Sequence, residues 1–279
     1  MRIPRIVFVL ATCVALFTPR AGLATVNIEK YRLALQDDGA TGSLSLGVAA
    51  KTGNVDYFET SLSGTAGARF ADNLLLLVVS GKYAAKRTGD DRLETPGGSL
   101  LDSDARYANK LLGAARYNRD LAKRWTWELF GQVEYDEFLR LDLRALGGTG
   151  PRLALATAED AVVYVGTAYM LEYEGQAPDL VVEDPTTLAH RWSSYVSFVV
   201  TPLDSLELSA TAYIQPRITD FSDFRIYNES ELSVAITDHF SLGIAFTLRH
   251  DSDPARLVEG EPPLQPTDTT LTNKLSVGF

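Results

Sequence analysis

The sequence predicts one closed antiparallel transmembrane β-barrel of about twelve strands, behind a cleaved leader. Three observations point there: a secretion signal at the N-terminus, long segments in which apolar and polar residues alternate, and aromatic residues gathered near the ends of those segments.

The leader has the form of a signal peptide over residues 1–24. Arg2 and Arg5 supply a positive start, Ile6 to Phe17 an apolar core, and Gly22 and Ala24 the small residues suited to cleavage after Ala24. It is short for a membrane anchor. Cleavage removes three Arg and no acid, which leaves 23 basic residues against 36 acidic ones and a net charge of −13. A chain so acidic is not expected to bind nucleic acid. The sole cysteine, Cys13, lies inside the leader, so the mature chain is expected to have no disulfide and no thiol chemistry. Leu10-Ala11-Thr12-Cys13 resembles a lipoprotein processing site only faintly, because Thr12 stands where Gly or Ala is usual.

Residues 25–40 form a short mixed N-terminal segment, expected in the periplasm as an extension, a short helix or a small plug. From residue 41 to 279 the period is two, as in strands. Leu206, Leu208, Ala210, Ala212 and Ile214 alternate with Glu207, Ser209, Thr211, Tyr213 and Gln215. The same beat predicts strands at 41–50, 57–70, 74–86, 104–118, 125–138, 142–156, 161–173, 191–201, 206–215, 224–236, 240–250 and 269–279. Crossing a bilayer at a tilt takes about nine to eleven residues, and these segments are long enough. After residue 24 no run of 18 apolar residues occurs, so a transmembrane helix is not expected. Short connections such as Ala71-Asp72-Asn73 and Pro202 to Ser205 alternate with a set that includes long ones at 87–103, 174–190, 216–223 and 251–268. Short periplasmic turns and longer outer loops have this pattern.

Aromatic side chains fall toward the two ends of the apolar face. Tyr83, Tyr107, Tyr135 and Trp192 mark the predicted outer edge; Trp125, Trp127 and Phe279 mark the periplasmic edge. Amphipathic rings favour membrane interfaces.

The chain closes on Lys274-Leu275-Ser276-Val277-Gly278-Phe279, which looks like the terminal signature read by barrel-assembly machinery, with Phe279 as its last residue. Gly42-Ser43-Leu44-Ser45-Leu46-Gly47, Tyr135-Asp136-Glu137-Phe138, Gly147-Gly148-Thr149-Gly150 and Thr237-Asp238-His239-Phe240 together resemble the salt-induced outer membrane protein family, formally a domain of unknown function. The resemblance spans nearly the whole mature chain. It implies a bacterial outer-membrane location, with outer-membrane lipid and lipopolysaccharide as surroundings, and it brings no reaction, cofactor or catalytic residue. It does not set the oligomeric state.

If the apolar set faces lipid, the opposite set faces a lumen. Among its charges, Arg106, Lys110, Arg116, Glu128, Glu134, Asp136, Arg144, Arg152 and Arg225 are the candidates for a constriction. Antiparallel register is expected to bring Arg116 near Glu128, and Arg106 and Lys110 near Glu134 and Asp136. Arg144, Arg152 and Arg225 are expected on a basic side of the constriction. Two readings stay open: a narrow channel for ions or small polar solutes, or a plugged structural barrel whose charges pair across the lumen. A third, an outer-membrane lipid hydrolase, would use His239-Phe240-Ser241 or His250-Asp251-Ser252, but no strained nucleophile turn accompanies either. No metal-ligand spacing, nucleotide loop or cofactor motif occurs, and the expectation is a protein without enzymatic activity.

Overall fold

The computed structural model describes residues 38–277, apart from 54, 89–97, 101, 103–104, 159, 179, 182–183, 238–239 and 261–262. The expected signal peptide, most of the 25–40 segment and Phe279 therefore lie outside the described residues. Twelve strands follow one another: β1 (Gly39–Lys51), β2 (Asp56–Phe70), β3 (Asn73–Arg87), β4 (Arg106–Ala122), β5 (Trp125–Asp136), β6 (Leu141–Thr157), β7 (Ala161–Gln176), β8 (Thr186–Leu203), β9 (Leu206–Arg217), β10 (Asp220–Ala235), β11 (Phe240–Asp251) and β12 (Thr267–Val277). They form one sheet in chain order, every ladder antiparallel. A 3₁₀ turn, Glu137–Leu139, follows β5 and is capped by the Asp136 carboxylate, which accepts from the N–H groups of Phe138 and Leu139. Among the described residues no helix is long and apolar enough to cross a membrane.

Closure is where the ladders stop short of expectation. No described ladder joins β12 to β1, so these strands are the two edges of the sheet. β1 is exposed along nearly its whole length. The rest of the sheet nevertheless curls back on itself, because side chains of β5 reach those of β8 and β11.

The alternation seen in the sequence sorts the two faces. Outward stand Leu75, Leu77, Val79, Leu111, Leu129, Val133, Leu171, Val196 and Ile214, all exposed. So many exposed large apolar side chains on one face are unusual for a water-facing protein. Trp125, Trp127 and Trp192 are 45–48% exposed on this face, and Trp127 anchors its ring by donating to the Thr149 hydroxyl at 2.8 Å. Tyr83 donates to the Leu100 carbonyl, and Tyr135 accepts from Asn109. Tyr107 departs from the girdle pattern. A register shift between Ala84 and Ala85 passes over it, and its ring stacks on Tyr57, which donates to Glu59.

The inward face is packed. Leu74, Leu76, Leu112 and Met170 are buried there, as are the rings of Tyr195, Tyr213 and Tyr227. Glycines make room for rings. A Cβ on Gly148 would meet the Phe130 ring at 2.4 Å, and one on Gly166 the Tyr195 ring at 2.2 Å. Glycine inside a strand weakens it unless something packs closely there; here the something is an aromatic core.

Among the boundaries that differ from the sequence reading, two have a visible local cause. β8 begins at Thr186 rather than 191. Asp184 accepts from both the N–H and the hydroxyl of Thr186, which turns the chain into the strand and holds the Asp184 carboxyl below its usual range. The span 216–223, expected as a long loop, is a tight turn at Ile218-Thr219. Pro216 is accommodated by a register shift between Asp220 and Phe224 that interrupts the ladder beside it.

Candidate functional site

The interior carries two charge clusters, one above the aromatic core and one beside it. In the upper cluster β6 supplies Arg144, β7 supplies Glu172 and Glu174, β8 Arg191, and β10 Arg225. Their period-two positions aim all five inward. Arg144 donates through Nη1 to Glu134 Oε2 at 3.2 Å, and through Nε and Nη2 to Glu174 Oε2 at 3.2 and 2.9 Å. Arg191 donates to Glu172 at 3.0 Å, to Asp223 at 2.9 Å and to the Gln215 carbonyl at 3.1 Å. Arg225 donates to Glu172, to Glu174 at 2.7 Å and to Asp251 at 2.8 Å. Arg249 on β11 lies 3.7 Å from Glu134 on β5. These bonds tie β5, β6, β7, β8, β10 and β11 together.

Charges so dry survive only when paired and hydrogen-bonded. Arg144 is 3% exposed, Glu172 3% and Arg191 3%. The pairing supplies what burial removes: each carboxylate accepts from one or two guanidinium forks, and planar forks suit carboxylates.

The lower cluster centres on Glu128. Its Oε2 accepts from the Tyr195 hydroxyl at 2.8 Å and lies 3.6 Å from Arg116 Nη1; its Oε1 lies 3.7 Å from Arg152 Nη1. Arg152 is 1% exposed and stacks 3.5 Å over the Tyr164 ring, and Arg116 lies over Phe130. Such cation–π contacts add to ion pairing in dry sites. From Tyr195 the rings continue to Tyr213 and Tyr227, with centroids 5.0 and 6.3 Å apart.

Among the described residues the interior includes two small cavities. One of about 30 Å³ lies among Leu76, Phe130, Met170 and Tyr213. One of about 40 Å³ lies above the upper cluster, against Arg144, Glu174 and Arg249. Each has room for only a few waters at roughly 10–15 Å³ apiece. Above them two connections meet. Val181 bridges to Leu257, and the Val258 N–H donates to the Leu180 carbonyl at 3.0 Å.

The structure distributes the predicted constriction residues differently from the sequence reading. Arg144 and Arg225 share Glu174 in the upper cluster, whereas Arg152 sits in the lower one. They form no single basic wall, because each is embedded among acids. Arg106 pairs with Glu137 at 2.8 Å rather than with Glu134 or Asp136. Lys110 does stand opposite Asp136 in register. Arg116 and Glu128 approach each other diagonally, two residues off direct register, as Arg116 faces Phe130 and Asn118 faces Glu128. Glu174, Asp223, Asp251 and the three tyrosines are the functional neighbours that sequence reasoning passed over.

Among the described residues, His250 and Ser252 do not form a hydrolytic pair. Ser252 Oγ donates to the Ser222 carbonyl and accepts from the Phe224 N–H, while His250 Nδ1 meets Thr267 Oγ1. Each is engaged elsewhere. His239 lies outside the described residues. Among the described residues no group of His, Cys, Asp and Glu has the geometry of a metal site.

An all-β antiparallel meander with an apolar outside and a charged, filled inside defines the class of this protein. The chain belongs to the family described as protein of unknown function, DUF481, which matches residues 44–279. No curated protein matches it. Among solved structures it is similar to one described as the NanC porin, with 13% identity over 86% of this chain and 98% of that chain, at a TM-score of 0.46. It is also similar to a bacterial polysaccharide outer membrane secretin, with 9% identity over 86% of this chain and 80% of that chain, at a TM-score of 0.41.

Proposed function

We propose that this protein is an outer-membrane β-barrel of the bacterial envelope whose lumen is occluded at rest, a plugged structural barrel rather than an open channel. The observation that carries the reading is the upper arginine–carboxylate cluster, which joins β5 to β11 and β7 to β10 across the interior. A pore for hydrated solutes needs a continuous wet path, and the two interior cavities described above, of about 30 and 40 Å³, are each too small to be one. The apolar outward face and exposed tryptophans support the membrane setting. In this reading β1 and β12 close the barrel, residues 1–24 are the export signal, and Phe279 addresses barrel-assembly machinery. The resemblance to salt-induced outer membrane proteins adds osmotic or ionic stress as the setting in which the protein is made.

Planar-bilayer recording on refolded protein tests it. Folded wild type is expected to give no discrete conductance steps. Steps with salt-dependent selectivity would reverse the choice and make the narrow channel the function.

A further inference from the structure

The outward face is not an even wall. Between β1 and β8 it carries a groove of about 1040 Å³, against about 30 and 40 Å³ for the cavities inside. Two register rows floor it. One runs through Gly64, Val79, Gly113, Val133, Ala145 and Tyr173, and the next through Ala66, Leu77, Ala115, Gly131, Gly147 and Leu171. In these rows β2, β4 and β6 turn nothing larger than Gly or Ala outward, while Leu44 at one end and Leu188 at the other stand 76% and 56% exposed.

The chain itself does not require three of these glycines. A Cβ on Gly113, Gly131 or Gly147 would meet nothing closer than 3.4 Å, an ordinary contact, and none of the three has a left-handed backbone. Glycine inside a strand weakens it, and it marks a place where a ligand or another backbone comes close. The outward side of these three is open groove, so the close neighbour is not part of this chain. The groove also slants. Tyr173 and Leu188 lie near the loop ends of β7 and β8, whereas Gly64 and Val79 lie halfway along β2 and β3. It therefore descends from the outer rim to mid-depth. The four ladders from β3 to β7 span about 19 Å, at about 4.7–4.9 Å each. A slanted path of that length crosses one leaflet, about half of a 30 Å hydrocarbon core. Polar groups gather at the rim end alone: Leu171 faces His190 in register, His190 Nδ1 meets the Tyr169 hydroxyl, and Tyr169 faces Trp192.

We propose that this groove seats one acyl chain of an outer-leaflet lipid, with the lipid head at Tyr173 and His190 and the tail laid along Gly147, Gly131 and Gly113. An apolar channel with polar groups at its rim end matches an amphiphile of that orientation. A second copy of this protein does not match, because a symmetric contact through this face would set hollow against hollow. The seat rests on the membrane setting proposed above, but not on whether the lumen is occluded.

The test uses protein refolded into dioleoylphosphatidylcholine vesicles that carry a small fraction of a phosphatidylcholine with a diazirine halfway along one acyl chain. After irradiation, peptide mass spectrometry maps the lipid adducts. Adducts on Leu77, Val79 and Val133 are expected to exceed those on Val196, Ile214 and Ile244, which are exposed apolar residues outside the groove. The excess should be at least about threefold, or about 0.7 kcal/mol at about 1.4 kcal/mol per decade. With Gly131→Leu and Gly147→Leu together the groove is filled and the excess is expected to vanish, heat-dependent gel migration confirming the fold. An even distribution in wild type would overturn the proposal and leave the membrane setting intact; no adducts on either set would overturn both. An excess that survives the double substitution would also overturn it, as would cross-linking of two copies through Leu77 and Val79. Should the double variant fail to fold, the wild-type distribution decides.

Discussion

Arg225→Ala is the sharpest probe of the cluster. The side chain reaches Glu172 and Glu174 on β7 and Asp251 on β11, so its loss breaks bonds to two other strands at once. Glu172 would keep Arg191 and Glu174 would keep Arg144, but Asp251 would lose its only guanidinium. Removing one member of a buried pair costs about 3–5 kcal/mol, because the abandoned charge stays dry. At roughly 2–4 °C per kcal/mol for a domain this size, the midpoint should fall by about 6–20 °C. Circular dichroism melts or heat-dependent gel migration read the change. Arg69→Ala is the control: its bond to Asp120 is 3.1 Å long, but Asp120 is 40% exposed, so it should cost under about 1 kcal/mol. If the two variants melt together, the cluster contributes nothing beyond a surface pair and the argument for a locked interior fails.

Gly150→Ala and Gly147→Ala should separate cleanly in the same melts. A Cβ at Gly150 would sit 2.0 Å from the Thr167 carbonyl oxygen, whereas at Gly147 the nearest atom is 3.7 Å away; the first should cost about 1–3 kcal/mol or more and the second stay within about 0.5 kcal/mol. Tyr195→Phe withdraws the hydroxyl that Glu128 accepts from and should destabilise by about 1–3 kcal/mol, a figure that chemical denaturation checks. Ser252→Ala should leave lipid-ester hydrolysis at the wild-type background, since the Ser252 hydroxyl bonds to the Ser222 carbonyl rather than to His250; a drop in rate would reopen the hydrolase reading.

The strands were legible because alternation is a local property. Leu208, Ala210 and Ala212 announce a face whatever surrounds them. What stayed hidden depended on the other wall. In Leu74-Leu75-Leu76-Leu77 both faces are apolar, and nothing in the run says that Leu74 and Leu76 are buried while Leu75 and Leu77 are exposed. Glu174 lay one residue beyond the predicted end of its strand, so its part in the cluster was invisible. Tyr195, Tyr213 and Tyr227 read as ordinary strand aromatics; only the curl of the sheet stacks them. Arg106 was placed by register alone, and the 3₁₀ turn at Glu137 captured it instead. Pairings inside one hairpin could be counted off the chain, whereas those between β7 and β10 or β5 and β11 required the curvature.

The chain-order sheet also bears on assembly. Each described ladder joins strands adjacent in sequence, so hairpins can add one at a time, each loop closed at small entropic cost. The arginine cluster cannot follow that schedule. Its bonds from β7 to β10 wait for the tenth strand, and its contact from β5 to β11 for the eleventh. It therefore acts as a late bolt: a chain stalled before β10 would still lay down sheet, yet Glu172 and Glu174 would lack Arg225 and Arg191 would lack Asp223, so the unfinished chain would be marked by its own instability.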